Sequence, residues 1–521
     1  MSKTKLARNV GSMSVAVLIS RIFGLIRDIV MTNYFGTTGV ADAFRVAFQI
    51  PNFLRLLFGE GALSAAFVPI YNDIGIKKGK DYQIRFAINV LSLLTVFLSI
   101  LSIAGILLTP LLVKIIAPGL EESIQLLTIR LTRLLFPYLF LIGLSSTLIS
   151  ILNSHDFFFL PGLSSAFLNI GMIGCLGGFV ILNQAANMEE MVFYWSYGVL
   201  IGGFMQTIIN FPLLKKLGYR IQINLSTHGE ALTAVWRRLI PGAIGIAVRQ
   251  INLVVDTLLA SLLVTGSIAA LGYGNRLVQL PMGIFGVAAG VAVLPLFSRF
   301  VAEKDWKGFQ ESLRFSTISL SFIMLPITAI IAGLGKDMIR LFFMRGAFDL
   351  KSVEMTYGAL LCYSLGIFFY SMNRLIIPAF YANKDTRTPV KVSVVIVVIN
   401  VILNLVLMRI LELAGLALAT SISAAIQFII LRDLLNKRFG FLKFPHVLKP
   451  ISKMLALSIL IYVGLYFANR VLIASTIVEL LSKIILLSLL SFVIMIIGSK
   501  LLKVEYSKVI EQRIMRKLFK R

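Results

Sequence analysis

Acidic residues are scarce in this sequence, and histidine, cysteine and tryptophan are scarcer. Asp and Glu number 24 in 521 residues, and 14% of the chain is charged, against about a quarter in a typical soluble domain. The two cysteines, Cys175 and Cys362, each sit in an apolar run, which excludes a disulfide framework. Three histidines (His155, His228 and His446) lie too far apart for metal-ligand spacing. Acid pairs at Glu121–Glu122 and Glu189–Glu190 have no accompanying base, so an enzyme holding Mg²⁺ against a diphosphate finds little support. Connections between the apolar runs are short, which leaves no room for a soluble catalytic domain.

What fills the chain instead is hydrocarbon. The hydrophobic fraction is 58% and the mean hydropathy +0.90. Apolar stretches of about twenty residues, enough to cross a bilayer as a helix, recur from end to end. The pattern predicts an all-α polytopic membrane protein of about fourteen spans, centred near residues 20, 57, 100, 138, 171, 203, 250, 285, 322, 365, 399, 423, 460 and 488. The N-terminal run is too long and too polar-studded for a cleaved signal peptide and reads as a retained first span. Lys and Arg outnumber acids by 26. Most of that surplus falls in alternate loops, such as "GIKKGK", "LLKKLGYR" and "LRDLLNKRFGFLK", where it sets topology rather than binding nucleic acid. The alternation puts both termini in the cytoplasm. Two loops fit poorly: "NSHDFFFL" should be inside yet lacks Lys and Arg, and "GKDMIRLFFMRGAFDLK" should be outside yet is basic.

An internal duplication is visible. "AAFVPIY" matches "VAVLPLF", with Pro69 against Pro295 (295 − 69 = 226), and "ILNSHDFFFLPG" matches "FYANKDTRTPV". In the second pair Asn153 falls against Asn383 (offset 230) and Pro161 against Pro389 (offset 228). Two six-helix halves that enter from the same side repeat in parallel, the architecture of transporters that rock two lobes around a central cavity. The expected divisions are residues 1–217, 218–436 and 437–521, the last holding two helices without a counterpart and a basic tail.

Charges inside the spans are the candidate site. An ionised side chain at the bilayer centre costs about 2.5–3.5 kcal/mol even on the lenient insertion scale, so it normally faces protein or water. Helical spacing places Arg21, Gly24 and Asp28 on one stripe with Arg27 beside it. Asn52, Arg55 and Gly59 form another with Glu60 to one side, and Arg249, Asn252 and Asp256 a third. Arg276 opens the eighth span, one turn before Gln279. The net positive set suits a diphosphate, because the guanidinium fork grips phosphate bidentately and stays charged. The competing account is internal salt bridges such as Arg27–Asp28, which leaves Arg55 and Arg276 unexplained. Asn400, Asn404 and Thr420, with Asp256, offer the hard oxygens of a Na⁺ site; interhelical hydrogen bonding is the other use of such residues.

The string "GLIRDIVMTNYFGTTGVADAFRVAFQIPNFLRLLFGEGALSAAFVPIY", with "YGNRLVQLPMGIFGVAAGVAVLPLFSR" and "FYANKDTRTPVK", resembles the MurJ/MviN lipid II flippase family. That family lies within the multidrug/oligosaccharidyl-lipid/polysaccharide exporter superfamily. The resemblance runs over nearly the whole chain. It implies fourteen helices, with the last two forming a groove for a lipid tail. The implied substrate is the undecaprenyl-diphosphate-linked peptidoglycan precursor, moved from the inner to the outer leaflet of the bacterial cytoplasmic membrane. The family's cavity arginines fall on Arg21, Arg27, Arg55 and Arg276, and Asp28 and Asp42 occupy motif positions. Gln279 stands where some relatives carry an acid. The expected protein is a monomeric transporter rather than an enzyme, in contact with membrane lipids and cell-wall synthesis proteins. It needs no cofactor, and Na⁺ or the membrane potential is the expected energy source. The alternatives are a flippase for another polyprenyl-linked polysaccharide, a cation-coupled multidrug exporter, or a polyprenyl-lipid transferase.

Overall fold

In lipid every main-chain N–H and C=O must be satisfied within its own segment, which is why long apolar runs become helices. The computed structural model describes residues 3–57, 62–183, 187–220, 222–227, 229–439, 445–474 and 476–504, and these form eighteen α-helices. No strand occurs among the described residues.

The chain divides into two compact units. The first runs to Ala269 and includes Arg345–Phe348. It holds α1 (Lys3–Phe35), α2 (Gly39–Arg55), α3 (Ala62–Lys78), α4 (Lys80–Ile116), α5 (Glu122–Leu135) and α6 (Pro137–Ser154). It continues with α7 (Phe159–Leu182), α8 (Met188–Ile208), α9 (Phe211–Lys216) and α10 (Glu230–Ser261). The unit boundary cuts α11 (Ser267–Pro281) near its start. The second unit continues through a π-helical turn at Met282–Gly286 into α12 (Val287–Ala302) and α13 (Trp306–Phe343). Its remaining helices are α14 (Leu350–Ser364), α15 (Ile367–Ala382), α16 (Arg387–Phe439), α17 (Pro445–Val471) and α18 (Ile477–Leu501).

Among the described residues nine helical segments are long and apolar enough to cross a membrane, or ten when α14 and α15, bent by 42°, count as one. The expected spans near 20, 57 and 250 fall on α1, on α2–α3 and on α10, which are outside that set. The spans near 399 and 423 share α16. A straight helix of 53 residues would be about 80 Å long. Yet Asn400 Nδ2 lies 3.2 Å from Ser423 Oγ, and Gln427 Nε2 3.2 Å from Ser393 Oγ. The helix therefore doubles back, and the turn is at Glu412, where φ is +48°.

The duplication extends to helix ends. α4 stops at Ile116 and α13 at Phe343; α5 begins at Glu122 and α14 at Leu350; α7 begins at Phe159 and α16 at Arg387. Those offsets are 227, 228 and 228. After α6, Asp156 N–H bonds Asn153 C=O and Phe157 N–H bonds Leu152 C=O; after α15, Lys384 and Asp385 repeat the pattern onto Tyr381 and Phe380. Asp156 and Lys384 both have positive φ, +65° and +58°. The hydrogen-bonded turn thus pairs His155 with Asn383, two residues away from the Asn153–Asn383 match suggested by sequence. Pro69 and Pro295 both lie inside helices, α3 and α12.

Each unit has its own apolar interior. In the first, Phe67 stacks between Tyr71 and Phe86 with ring centroids 5.2 and 5.9 Å apart, joining α3 to α4. α7 and α8 meet backbone to backbone: a methyl on Gly171 would sit 2.5 Å from the Gly202 nitrogen, the close approach small residues give helices in lipid. In the second, α13 is the most enclosed apolar span among the described residues, with 78% of its apolar 18-residue stretch buried, and it packs against α12, α14, α15, α17 and α18. By contrast α4 turns Leu107, Leu108 and Leu111 outward, as lipid-facing helices do.

Candidate functional site

Arg27 and Asp28 are neighbours on α1, which is joined to α7 through a 2.7 Å hydrogen bond between the hydroxyls of Ser20 and Ser165. Adjacent helical side chains do not ordinarily face each other. Here the guanidinium folds back so that Nε and Nη2 both donate to Asp28 Oδ1, at 3.1 and 2.7 Å. The Asp28 side chain is 9% exposed and that of Arg27 is 23% exposed. Two of the five guanidinium donors are thereby used, and the rest of the fork remains for a second anion. Arg21, nearly two turns earlier, is exposed.

On α2, Arg55 donates from Nε to Asn52 Oδ1 at 2.8 Å, so the i, i+3 stripe read from the sequence aims the guanidinium. Both residues are half-buried. Glu60 lies outside the described residues, as does the side chain of Arg249. Arg276 is half-buried on α11 and falls in the second unit. Gln279 is exposed and donates to Asn275 Oδ1 at 3.2 Å.

Asp42 has a different partner set. Its side chain is buried in the first turn of α2, where Oδ2 accepts from Gly266 N–H at 2.6 Å and Oδ1 from Ala269 N–H at 2.7 Å. A carboxylate at the start of α11 meets N–H groups that have no partner inside the helix, together with the positive end of its dipole. Gly266 has φ +94°, and a side chain there would collide with Thr37 C=O, so only glycine brings the two turns this close.

The α16 residues proposed for Na⁺ lie on both of its arms, Asn400 and Asn404 before the turn at Glu412 and Thr420 after it. Asn404 Nδ2 donates to Asn400 Oδ1 at 3.1 Å, while Asn400 Nδ2 reaches Ser423 Oγ at 3.2 Å. Thr420 donates to Leu416 C=O. The structure therefore brings Asn400 and Asn404 together and adds Ser423 to them. Asp256 is half-buried on α10 in the first unit; its neighbour Thr257 bonds Gln49 Oε1 at 2.8 Å.

Two clusters were not anticipated. Tyr71 bridges His155 Nε2 at 2.8 Å and the Tyr219 hydroxyl at 2.5 Å. Burial, and then Tyr71, push the Tyr219 hydroxyl far above its ordinary range; burial and the Lys80 charge push His155 down. These contacts anchor the Arg- and Lys-free loop after α6 by hydrogen bonds instead of charge. In the second unit Lys483 of α18 lies 2.8 Å from Asp337 of α13, both side chains 9% exposed, and Arg340 approaches the same carboxylate at 3.7 Å. Lys336 pairs with Glu354. Two of the four bases in the stretch that fits its loop poorly, Lys336 and Arg340, thus have carboxylate partners. The tyrosines gave no period or motif in the sequence. Lys483 did interrupt an apolar run, the signal that could have found it.

The profile of the family described as lipid II flippase MurJ matches residues 31–500. "Probable lipid II flippase MurJ" of Buchnera aphidicola subsp. Baizongia pistaciae is 31% identical over 467 residues, covering 89% of this chain and 90% of that one. The chain belongs to the MurJ lipid II flippase family. "Lipid II flippase MurJ" of Burkholderia cenocepacia is 29% identical over 438 residues, 81% of this chain and 82% of that one. A solved lipid II flippase MurJ in an inward closed conformation matches with a TM-score of 0.79 and 27% identity, over 96% of this chain and 99% of its own. An inward-facing multidrug resistance MATE family transporter of the MOP superfamily gives 0.66 over 83% of this chain and 98% of that one. At 14% identity that likeness shows the fold alone. The expected all-α, multi-pass membrane fold therefore stands, with nine or ten apolar spans among the described residues against the fourteen expected.

Proposed function

We propose that this chain flips lipid II, the undecaprenyl-diphosphate-linked peptidoglycan precursor, from the inner to the outer leaflet of the bacterial cytoplasmic membrane. The family match over residues 31–500 carries this reading. Within it, Arg21, Arg27, Arg55 and Arg276 hold the diphosphate during alternating access. Arg27 keeps part of its fork beyond the Asp28 pair, and Arg55 is aimed by Asn52. Asp28 orients Arg27 and gives it a partner when no phosphate is bound. A ligand held equally in both states shifts neither, so release outside requires the outward state to bind the diphosphate more weakly. The two C-terminal helices α17 and α18 accompany the polyprenyl tail. No bond in the substrate is made or broken, so the activity is transport rather than catalysis.

The experiment is complementation. A bacterium depleted of its own lipid II flippase receives this chain or its Arg27→Ala variant at matched membrane levels, with survival and the leaflet distribution of lipid II as readouts. Rescue by the wild type alone is expected. Survival with lipid II still confined to the inner leaflet would overturn the reading.

Asp256, Asn400, Asn404 and Thr420 are proposed to hold Na⁺ as the coupling ion, supplying one carboxylate and neutral oxygens. A ligand of the folded state raises its stability. NaCl should therefore raise the melting temperature of the purified chain more than choline chloride does, and Asn400→Ala should remove the difference.

A further inference from the structure

A groove of about 540 Å³ opens between α3 and α6, wholly within the first unit. Ser64 and Asn72 line it from α3, and Ser146, Ser150, Asn153 and Ser154 from α6. The spacings are i, i+8 on one helix and i, i+4, i+7, i+8 on the other, so each helix turns one polar face inward. No charged side chain lines it. We propose that this groove is a saccharide subsite, holding the neutral, hydroxyl- and amide-bearing sugar of the lipid-linked head group. The inference rests on the flippase reading and says where the uncharged part of the substrate goes.

The hydrogen bonds decide what the groove can accept. Ser146, Ser150 and Ser154 donate to the carbonyls of Ile142, Ser146 and Ser150 at 2.8, 2.8 and 2.9 Å. Their protons are spent on their own helix, so toward the groove they present oxygen lone pairs. Ser64 lies 2.7 Å from Ser150 Oγ and must be the donor of that pair, because Ser150 already donates elsewhere. The amides of Asn72 and Asn153 make no hydrogen bond among the described residues and offer both donors and acceptors. A ligand that fits must bring several O–H or N–H donors and some acceptors, and carry no charge. Val68 and Ile149 add an apolar patch. A sugar ring has this division, with polar groups on its edge and C–H bonds on its face. The volume lies within the range of about 300–1,000 Å³ usual for small-molecule sites.

The second repeat shows that the fold does not require this polarity. At the Pro69–Pro295 offset of 226, Ser64 and Val68 correspond to Gly290 and Leu294. At the loop offset of 228, Ser146, Ser150, Asn153 and Ser154 correspond to Arg374, Pro378, Tyr381 and Ala382. There the helices close up instead. A methyl on Gly290 of α12 would lie 2.7 Å from the Arg374 carbonyl of α15. Serine back-bonding alone explains the helical hydroxyls, but not two unbonded amides beside an open groove in one repeat only.

The test compares two lipids on the full chain in nanodiscs: undecaprenyl diphosphate, and undecaprenyl diphosphate bearing an N-acetylated disaccharide without peptide. Asn153→Leu and Asn72→Leu remove amides that bond nothing among the described residues, so unchanged melting temperatures are expected. Each should weaken the sugar-bearing lipid about tenfold, the ratio expected for one good hydrogen bond, and leave the bare diphosphate unaffected. Arg27→Ala should weaken both lipids. Equal loss for both lipids in the Asn variants, or no loss for either, would overturn the subsite while leaving the flippase reading intact. A wild type that binds neither lipid would overturn the reading and the subsite together.

Discussion

Asp42 and Gly266 are 224 residues apart in the chain, yet a 2.6 Å hydrogen bond joins the carboxylate of one to the main-chain N–H of the other. The second oxygen takes the N–H of Ala269, so one side chain ties the first turn of α2 to the start of α11. Both donors are main-chain groups, so substitution at 42 removes the acceptor and leaves the donors in place.

Asp42→Ala leaves two buried N–H groups without acceptors, at about 1–3 kcal/mol for each donor. The expected outcome is a looser junction. In a chain whose Cys175 and Cys362 are replaced by Ser, a cysteine placed at Thr265 should react faster with a membrane-impermeant thiol reagent when Asp42 is Ala. Asp42→Asn keeps one oxygen acceptor and should fall between. Equal labelling in all three backgrounds would show that the carboxylate is not what holds the turns together.

The Arg27–Asp28 geometry makes a sharper demand on charge shape. Lys at 27 could still pair with Asp28, but an ammonium has no planar fork with which to grip phosphate at the same time. Arg27→Lys, Arg55→Lys and Arg276→Lys are each expected to lower lipid II translocation at least tenfold at matched expression, close to the effect of Ala. Full activity in all three would end the bidentate model.

The helical architecture was legible because lipid leaves an apolar run few options. The repeat was legible because prolines and a loop kept their spacing: Pro69 and Pro295 do fall inside equivalent helices. Register within that loop was not, since a hydrogen-bonded turn with one positive-φ residue accepts Asp156 in one copy and Lys384 in the other, and side-chain identity is a poor guide there. Stripe logic paired Asn52 with Arg55 correctly, because i, i+3 contacts are fixed by helix geometry. It gave no hint of Asp42, whose partners are main-chain N–H groups more than two hundred residues away and carry no residue-type signal. Nor did it find the groove between α3 and α6. Serine and asparagine in a span are common, and only the second repeat, with Gly290 and Pro378 in their place, marks them as a choice.

Lys483 and Asp337 test how α18 is held. Removing one member of a buried pair leaves an uncompensated charge, which costs about 3–5 kcal/mol, whereas replacing both with apolar residues is often neutral. Arg340 stays 3.7 Å from the carboxylate, so Lys483→Met should lie at the lower end, about 3 kcal/mol. The double variant Lys483→Met with Asp337→Leu should recover most of that loss. Unfolding in detergent across the four chains gives the coupling directly. An additive double variant would mean that the pair contributes nothing beyond its parts.

His155 supplies a pH dependence whose sign is fixed by its surroundings. Burial first, and the charge of Lys80 second, hold its folded value below the ordinary 6.5, with Asp156 opposing. Above that ordinary value the ring is neutral whether folded or unfolded, and stability does not depend on it. Below it the unfolded chain takes up a proton that the folded chain resists, so stability falls as pH drops, until the folded value is passed. The hydrogen bonds agree. Neutral Nε2 can accept from Tyr71, which in turn accepts from Tyr219; a protonated ring must donate, and the Tyr71 hydroxyl would have to turn toward Tyr219. Between pH 7.5 and 5.5 the wild-type melting temperature should fall more steeply than that of His155→Gln, which cannot take up a proton. Parallel pH curves for the two chains would show that this histidine does not titrate against folding.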